Sequence, residues 1–237
     1  PQFEPERTLA RAPAFDGLVQ NFADPSLVGL AEGTAAGLRA ATSVVLRGAD
    51  GRPDARPVAP QVPVRWPVPR HAQFPLDRYR MPFTRWTRST SILTSYGCPF
   101  PCTFCPSRHL PWQLRPLDDV LVELAHIAAL GVDEVYIRDF TFGPTRKRAR
   151  ELCDRMIAAE LGLRWSAECR MDVLDADLLG RMARAGCEVI LVGLETGDVE
   201  VSRRLGKKLL PDRNLEILHA ARDVGIRVCG HFILGSP

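Results

Sequence analysis

The sequence predicts an α/β protein built around a parallel sheet. Beyond residue 91, apolar runs of strand length alternate with helical segments, most of them 11–16 residues long. The runs are continuously apolar, as in residues 189–192, which is typical of strands buried on both faces. Alternation of this kind implies right-handed crossovers between parallel strands. On periodicity alone, a barrel, a partial barrel and an open doubly wound sheet remain as alternatives.

Five strands and five helices follow from these patterns. The predicted strands are residues 92–94, 134–139, 164–169, 189–195 and 227–234. The predicted helices are residues 116–130, 146–161, 175–185, 198–205 and 212–224. Asp118 and Asp119 fall in the first turn of the first helix, where carboxylates complement the helix dipole. Gly131 follows that helix and predicts where it ends.

The first 90 residues differ in composition from the rest. Residues 1–52 contain a few short strand and helix patterns, and we expect a small α/β segment that cannot bury a core of its own. Residues 53–90 hold seven prolines between Pro53 and Pro75. Because proline lacks a backbone donor and fixes φ, they predict an extended linker. The predicted regions are therefore 1–52, 53–90 and a core at 91–237.

The charge pattern gives no clear signal for nucleic acid, and no segment is long enough to span a membrane. Lys and Arg number 31 against 28 Asp and Glu, and the densest basic run, 146–150, lacks interleaved aromatic residues. No apolar run approaches the roughly 18–20 residues of a membrane helix. Without a secretory signal, the seven cysteines favour cytoplasmic thiols, metal binding or catalysis over disulfides.

Three of the cysteines lie together in the loop after the first core strand. Cys98, Cys102 and Cys105 are spaced C-x3-C-x2-C among prolines, and loops at the carboxyl ends of parallel strands are where such folds place their chemistry. Buried structural thiols explain so dense a group poorly. A zinc site completed by His109 and an iron–sulfur site are the remaining alternatives. Three thiolates on a four-iron cluster would leave one iron open for reaction.

The loop resembles that of the radical S-adenosylmethionine (SAM) enzymes, because Phe104 precedes its last cysteine and it follows the first strand of a βα repeat. The resemblance covers residues 91–237 and implies a partial (β/α) barrel of about five parallel strands. It implies a [4Fe-4S] cluster on Cys98, Cys102 and Cys105, whose open iron binds SAM. Reductive cleavage of SAM then gives a 5′-deoxyadenosyl radical that abstracts hydrogen from substrate.

Further segments match the family and imply contacts with SAM. Residues 136–142 resemble the acidic segment after the second strand, with Phe140 where related proteins carry a second acid. Residues 165–172, 193–197 and 230–237 resemble the third-, fourth- and fifth-strand motifs. The implied SAM contacts are Phe104 and Ile233 at the adenine, Asp139 at the ammonium, Arg170 at the carboxylate and Glu195 at the ribose. No catalytic residue is assigned.

Several segments are similar to the branch of the family that carries a cobalamin-binding domain before the barrel. They are residues 76–82, 94–99, 133–136 and 188–193. Residues 1–52 resemble the end of such a domain, and a D-x-H-x-x-G cobalt-ligand signature is absent from them. The resemblance implies cobalamin as a further cofactor, and methyl transfer, cyclisation or a related radical reaction.

Two rival functions remain at this point. One is a cobalamin-independent radical SAM enzyme, such as a methylthiotransferase or a maturation enzyme. The other is a zinc-stapled α/β binding module that is not an enzyme. The family resemblance implies a small-molecule substrate and a reducing partner such as flavodoxin or ferredoxin. Because a family core has about six strands and five are predicted, we expect the 237 residues to be an excerpt of a longer protein.

Overall fold

The computed structural model describes residues 4–21, 24, 26–58, 66–207 and 211–235, apart from the side chain of His109. The chain divides into two compact units, Pro1–Val64 and Arg65–Pro237. The assignment of domains to residues 1–52, 53–90 and 91–237 stays a prediction.

The smaller unit contains a short antiparallel sheet and three helices in its described part. Its strands are β1 Gly17–Val19, β2 Val44–Arg47 and β3 Pro53–Ala55, in the order β1-β2-β3, and its helices are α1 Pro5–Arg11, α2 Leu27–Ala31 and α3 Ala35–Ala40. The expected small α/β segment is thus confirmed. Strand β3 lies in the proline-rich stretch, because an edge strand can begin with a proline.

The larger unit carries the alternating pattern. Its strands are β4 Ser89–Ile92, β5 Ser95–Tyr96, β6 Gln113–Leu114, β7 Glu134–Phe142, β8 Arg164–Cys169, β9 Cys187–Glu195 and β10 Arg227–Phe232. Its helices are α4 Leu117–Ala129, α5 Arg146–Ala158, α6 Ala176–Arg184, α7 Val199–Arg204 and α8 Pro211–Asp223. None of the described helices combines the length and apolar character needed to cross a lipid bilayer.

Five of these strands form one sheet in strictly sequential order, β4-β7-β8-β9-β10, and every neighbouring pair is parallel. A doubly wound sheet reverses its strand order at a switch point. No reversal occurs among these five strands, so the sheet winds in one direction, as the strands of a barrel do.

The two faces of this sheet differ. On the side that we call the helix face, strand residues join one buried core with residues of α4, α5, α6 and α8, including Val135, Ile137, Ala167, Ile190 and Val192 from the strands. The alternate residues lie on the opposite side, which we call the open face. There Tyr136, Val189 and Leu191 form a separate small cluster with Met81 and Phe83. Because side chains alternate along a strand, one set stabilises the fold and the other is available for a site.

The first core strand lies three residues earlier than predicted. The prediction was 92–94, whereas β4 covers Ser89–Ile92. Thr94 leaves the sheet because its backbone N–H and hydroxyl both donate to the Asp139 carboxylate. These bonds turn the chain toward the cysteine loop.

The basic run at the start of α5 is used inside the fold. Arg146 Nε donates to the carbonyl of Val173 at 2.8 Å, and Arg148 Nη2 donates to the carbonyl of Thr94 at 3.1 Å. Arg150 pairs with two aspartates near the start of α6. These arginines therefore tie neighbouring elements together.

Candidate cofactor site

The cysteine loop is closed at its base by a short ribbon. Strands β5 and β6 pair antiparallel on either side of it. Gly97, at the loop entry, has φ of +72°, and a Cβ there would lie 2.1 Å from the carbonyl oxygen of Pro111. Only glycine fits this approach. The cysteine loop is therefore a closed loop beside the carboxyl ends of the parallel strands.

The three cysteines of the loop differ in exposure and influence one another electrostatically. Cys102 is buried, while Cys98 and Cys105 are partly exposed. Burial raises the pKa of the Cys98 thiol, and the neighbouring Cys102 and Cys105 raise it further, whereas a backbone hydrogen bond and Arg170 oppose the shift. Such mutual effects require sulfur atoms near one another. Ser107 Oγ lies 2.8 Å from Cys105 Sγ.

The donor set of three cysteines fits a four-iron cluster. Among the described residues, no three His, Cys, Asp or Glu side chains converge as ligands of one ion. In a four-iron cluster each cysteine binds a different iron, so the sulfur atoms need not meet at one point. The side chain of His109, which completed the alternative zinc site, lies outside the described residues.

Arg170 connects the sheet to the cysteine loop. It directly follows β8, and its Nη1 donates to Cys102 Sγ at 3.1 Å. Its Nε and Nη2 donate to the two carboxylate oxygens of Asp172 at 2.9 and 2.7 Å, and the guanidinium lies 4.0 Å from the ring centroid of Phe100. A bidentate partner and a ring fix its direction. Arg170 therefore stands as a pre-positioned cation beside Cys102, which is a predicted cluster ligand.

Asp139 has partners other than the expected cofactor. It is 2% exposed, and its oxygens accept hydrogen bonds from the backbone N–H and hydroxyl groups of Thr94 and Ser95, at 2.5 to 3.0 Å. Burial raises the pKa of Asp139, and these hydrogen bonds oppose the rise. The carboxylate thus fixes the start of the cysteine loop. As a direct SAM contact it stays a prediction.

Glu195 ends β9 in a left-handed conformation with φ of +63°. Its carboxylate forms a largely buried ion pair with Lys207. Lys207 Nζ also donates to the carbonyl of Gly193 at 2.9 Å. A Cβ at Gly193 would lie 2.3 Å from Glu195 Oε1, so the missing side chain makes room for the pair. The backbone of Ile233 joins the group, since its N–H donates to the Glu195 carbonyl at 2.8 Å.

Phe104 lies near the same lysine. Its ring is 44% exposed, with its centroid 5.9 Å from Lys207 Nζ. The preceding Thr103 donates its backbone N–H to Leu205, just after α7. The loop therefore touches the β9–α7 region.

The structure thus gathers the predicted residues into two groups and leaves one apart. Arg170 meets the cysteines, and Glu195, Phe104 and Ile233 gather around Lys207 and the end of β9. Asp139 is buried behind the loop. Sequence reasoning missed Lys207. The sequence feature that could have drawn attention to Lys207 is the rarity of lysine, because only three of the 31 basic residues are lysines.

The fold and the site together define a class of protein: a sequentially wound parallel sheet with a three-cysteine loop at its carboxyl rim. The sequence model of the family described as "Radical SAM superfamily" matches residues 92–237, more than half of the chain. The chain therefore belongs to the radical SAM superfamily.

Two curated relatives share parts of the sequence. An uncharacterized methyltransferase, PH0819, of Pyrococcus horikoshii is 26% identical over 99% of this chain and 52% of its own length. The cytidylyl-2-hydroxyethylphosphonate methyltransferase of Streptomyces wedmorensis is 32% identical over 69% of this chain and 32% of its own length. The chain spans about half and a third of these proteins.

A solved structure shares the fold. The radical SAM methyltransferase TsrM of Kitasatospora setae, with cobalamin and a [4Fe-4S] cluster bound, superposes with a TM-score of 0.73 at 20% identity, over 97% of this chain and 49% of that one. At that identity the likeness concerns the fold alone. The predicted partial barrel is confirmed.

Proposed function

We propose that the chain forms the core of an enzyme that cleaves SAM reductively and transfers a methyl group to a small molecule. Cys98, Cys102 and Cys105 would hold a [4Fe-4S] cluster. The bound cluster supplies the electron that cleaves SAM, and the cleavage supplies the radical. The names of the two curated relatives, both methyltransferases, support methyl transfer.

One observation carries this proposal: the contact between Arg170 and Cys102. A guanidinium beside a thiolate lowers the cost of gathering three negative sulfurs on one loop. Arg170 also retains donors beyond those that bind Asp172, because a guanidinium has five. An anionic carboxylate arriving at the cysteine loop would therefore meet a cation already in place.

The remaining residues would orient SAM. Glu195, held by Lys207, would accept hydrogen bonds from the ribose hydroxyls, since a carboxylate is an acceptor. Phe104 and Ile233 would cover the adenine. Asp139 would act through Thr94 and Ser95, by fixing where the loop begins.

We further propose cobalamin as a second cofactor and flavodoxin or ferredoxin as the electron donor. The support for cobalamin is the fold shared with TsrM, whose structure contains it. All seven cysteines are free thiols, which fits a cytoplasmic location.

The test is anaerobic turnover of the complete protein with SAM and dithionite, followed by measurement of 5′-deoxyadenosine. We expect the product from the parent protein and none from Cys102→Ala. Arg170→Met removes a charge-assisted contact, and such contacts contribute about 1.5–3 kcal/mol. Its SAM dissociation constant should rise about tenfold or more.

The matched control is Cys229→Ala, which lies on β10 away from the loop and should keep the parent rate. A parent protein that holds a cluster and binds SAM but forms no 5′-deoxyadenosine would contradict the proposed reaction. Cobalamin is checked separately, by its visible spectrum in the purified protein.

A further inference from the structure

A cavity of about 650 Å³ lies on the open face of the sheet, beside the cysteine loop. Its walls include Tyr96 and Phe140 and five charged side chains. Arg115 and Glu123 pair with each other at 2.7 Å, and Asp139 is held by Thr94 and Ser95. This leaves Arg138 and Glu168 as the remaining charged pair of the cavity. The volume falls within the roughly 300–1,000 Å³ of small-molecule sites. A second cavity, of about 600 Å³, lies beside β10 and contains none of the cofactor-site residues. The first cavity is therefore the one that could present a ligand to the cofactors.

The cavity exposes side chains that a buried strand would not need. Strand β7 lies inside the sheet, where parallel strands are ordinarily apolar on both faces. On its helix face Ile137 and Asp139 are buried. On its open face the side chain of Arg138 is 52% exposed, and Phe140 is 45% exposed. A cation and an aromatic ring at these positions add little to the core, so their use lies in the cavity.

Arg138 forms an ion pair with Glu168 but no hydrogen bond to it. Its guanidinium lies 4.8 Å from the ring centroid of Tyr136. The nearest carboxylate oxygen, Glu168 Oε1, is 4.0 Å from Arg138 Nη1, which is beyond hydrogen-bond distance. That same oxygen accepts a 2.7 Å hydrogen bond from the Tyr136 hydroxyl. One oxygen of the carboxylate is thus engaged by Tyr136, and the guanidinium, which makes no hydrogen bond to Glu168, keeps donors for a ligand.

The tyrosine is a stable donor in this arrangement. Burial raises the pKa of Tyr136, and Glu168 raises it further. The phenol therefore stays protonated at neutral pH and continues to hold Glu168.

The spacing along β8 relates this group to the cysteine loop. Glu168 precedes Arg170 by two residues, and two residues along a strand span about 7 Å. Arg170 contacts Cys102. A ligand group bound at Arg138 would therefore lie roughly 7 Å along the strand from Arg170, within reach of the predicted cofactor site.

We propose that this cavity is the substrate site, and that it takes a small molecule whose oxyanion group meets Arg138 and whose apolar part lies against Phe140. That the bound molecule is a substrate rests on the proposed function, but its binding in the cavity does not depend on turnover. A carboxylate and a phosphonate share the required chemistry.

The test measures binding of three probes to the complete, cluster-containing protein by isothermal titration. Phenylphosphonate and benzoate each join a ring to an oxyanion, and benzylamine joins the same ring to a cation. We expect both oxyanions to bind and benzylamine not to bind, and the tighter oxyanion identifies the substrate class. Arg138→Met should weaken both oxyanions about tenfold or more, because a charge-assisted contact is lost.

Two further variants keep the test decisive. Arg203→Met removes an arginine whose side chain is 72% exposed on α7 and should leave binding unchanged. Glu168→Gln keeps an acceptor for Tyr136 but removes a negative charge, so it should tighten oxyanion binding severalfold. Because Glu168→Gln should change oxyanion affinity in the opposite direction to Arg138→Met, it still tests the inference if Arg138→Met fails to fold.

Three results would overturn the inference: no oxyanion binding by the parent protein, equal binding of benzylamine, or weaker oxyanion binding by Glu168→Gln. A protein that binds the oxyanions through Arg138 but forms no 5′-deoxyadenosine would contradict the proposed reaction and support the binding site. The two failures are therefore distinguishable.

Discussion

The helix face and the open face of the central sheet are built from alternate residues of the same strands, yet they differ in almost every physical property. On the helix face, Ile137, Trp165 and Ile190 are fully buried in the core with the helices. On the open face, Arg138, Phe140 and Glu168 border a cavity of about 650 Å³. The comparison separates residues that stabilise the barrel from residues that are available for chemistry.

Asp139 and Glu195 show the same division for two carboxylates near the carboxyl ends of β7 and β9, which flank β8 in the sheet. Asp139 turns to the helix face, where Thr94 and Ser95 use its oxygens. Glu195 pairs with Lys207 beside the open face. Similar positions along the chain thus give different roles, because the strands do not keep one register. The pairing of β7 with β8 shifts between Ile137 and Phe142.

Strand β7 offers the sharpest test of this division, since it carries Phe140 on the open face and Phe142 in the helix-face core, where the register of β7 against β8 has shifted. Phe142 is 2% exposed and packs 5.3 Å from Trp165 between ring centroids. Phe142→Ala should lower the free energy of unfolding by about 3–5 kcal/mol, the usual result of emptying a buried aromatic site. Phe140→Ala should lower it by about 1 kcal/mol or less. Urea unfolding of both variants measures the difference.

Equal losses in the two variants would contradict the assignment of faces. For ligand binding we expect the larger effect from Phe140→Ala, because Phe140 lines the cavity. Phe140→Ala should weaken phenylphosphonate binding while leaving the unfolding midpoint nearly unchanged.

Substitution of Gly193, on the open face, is expected to change the free energy of unfolding by a smaller amount. A Cβ there would lie 2.3 Å from Glu195 Oε1 and 2.6 Å from Lys207 Nζ. Gly193→Ala must displace the ion pair, and overpacking of this kind costs about 1–3 kcal/mol. We expect a moderately lower free energy of unfolding together with a severalfold rise in the SAM dissociation constant.

Gly197→Ala is the matched control, because no atom lies within 4 Å of a Cβ built there. Gly197→Ala should change the free energy of unfolding by no more than about 0.5 kcal/mol. It should leave the SAM dissociation constant as in the parent. If Gly193→Ala bound SAM as the parent does, the ion pair would have no part in the cofactor site.

The sequence predicted the fold well where the pattern was strong. The strand at 164–169 has the predicted bounds, and α4 and α5 begin at or next to the predicted residues. Apolar periodicity and terminal glycines agree there, and α4 also has acids in its first turn. It failed by three residues at β4, since the bonds from Thr94 to Asp139 are tertiary contacts between residues 45 apart. The choice of a barrel also needed strand order, which periodicity does not encode.

The candidate site was predictable for the cysteines and only in part for the rest. The spacing of Cys98, Cys102 and Cys105 is a local signal. The partners of Asp139 depend on which way its strand faces, and the pairing of Lys207 with Glu195 depends on the chain folding back after α7. The role of Arg138 required the cavity, because an arginine in a strand is by itself most often a solvated side chain.

The central claim is that the three loop cysteines, and none of the other four, hold an iron–sulfur cluster. Its most direct test is the iron content of the complete protein after anaerobic reconstitution, measured for the parent, for Cys98→Ala, Cys102→Ala and Cys105→Ala, and for Cys229→Ala. We expect about four irons per chain in the parent and in Cys229→Ala. Each loop variant should lose most of its iron. Loop variants that keep the full iron content, or a parent that takes up zinc and no iron, would contradict the account.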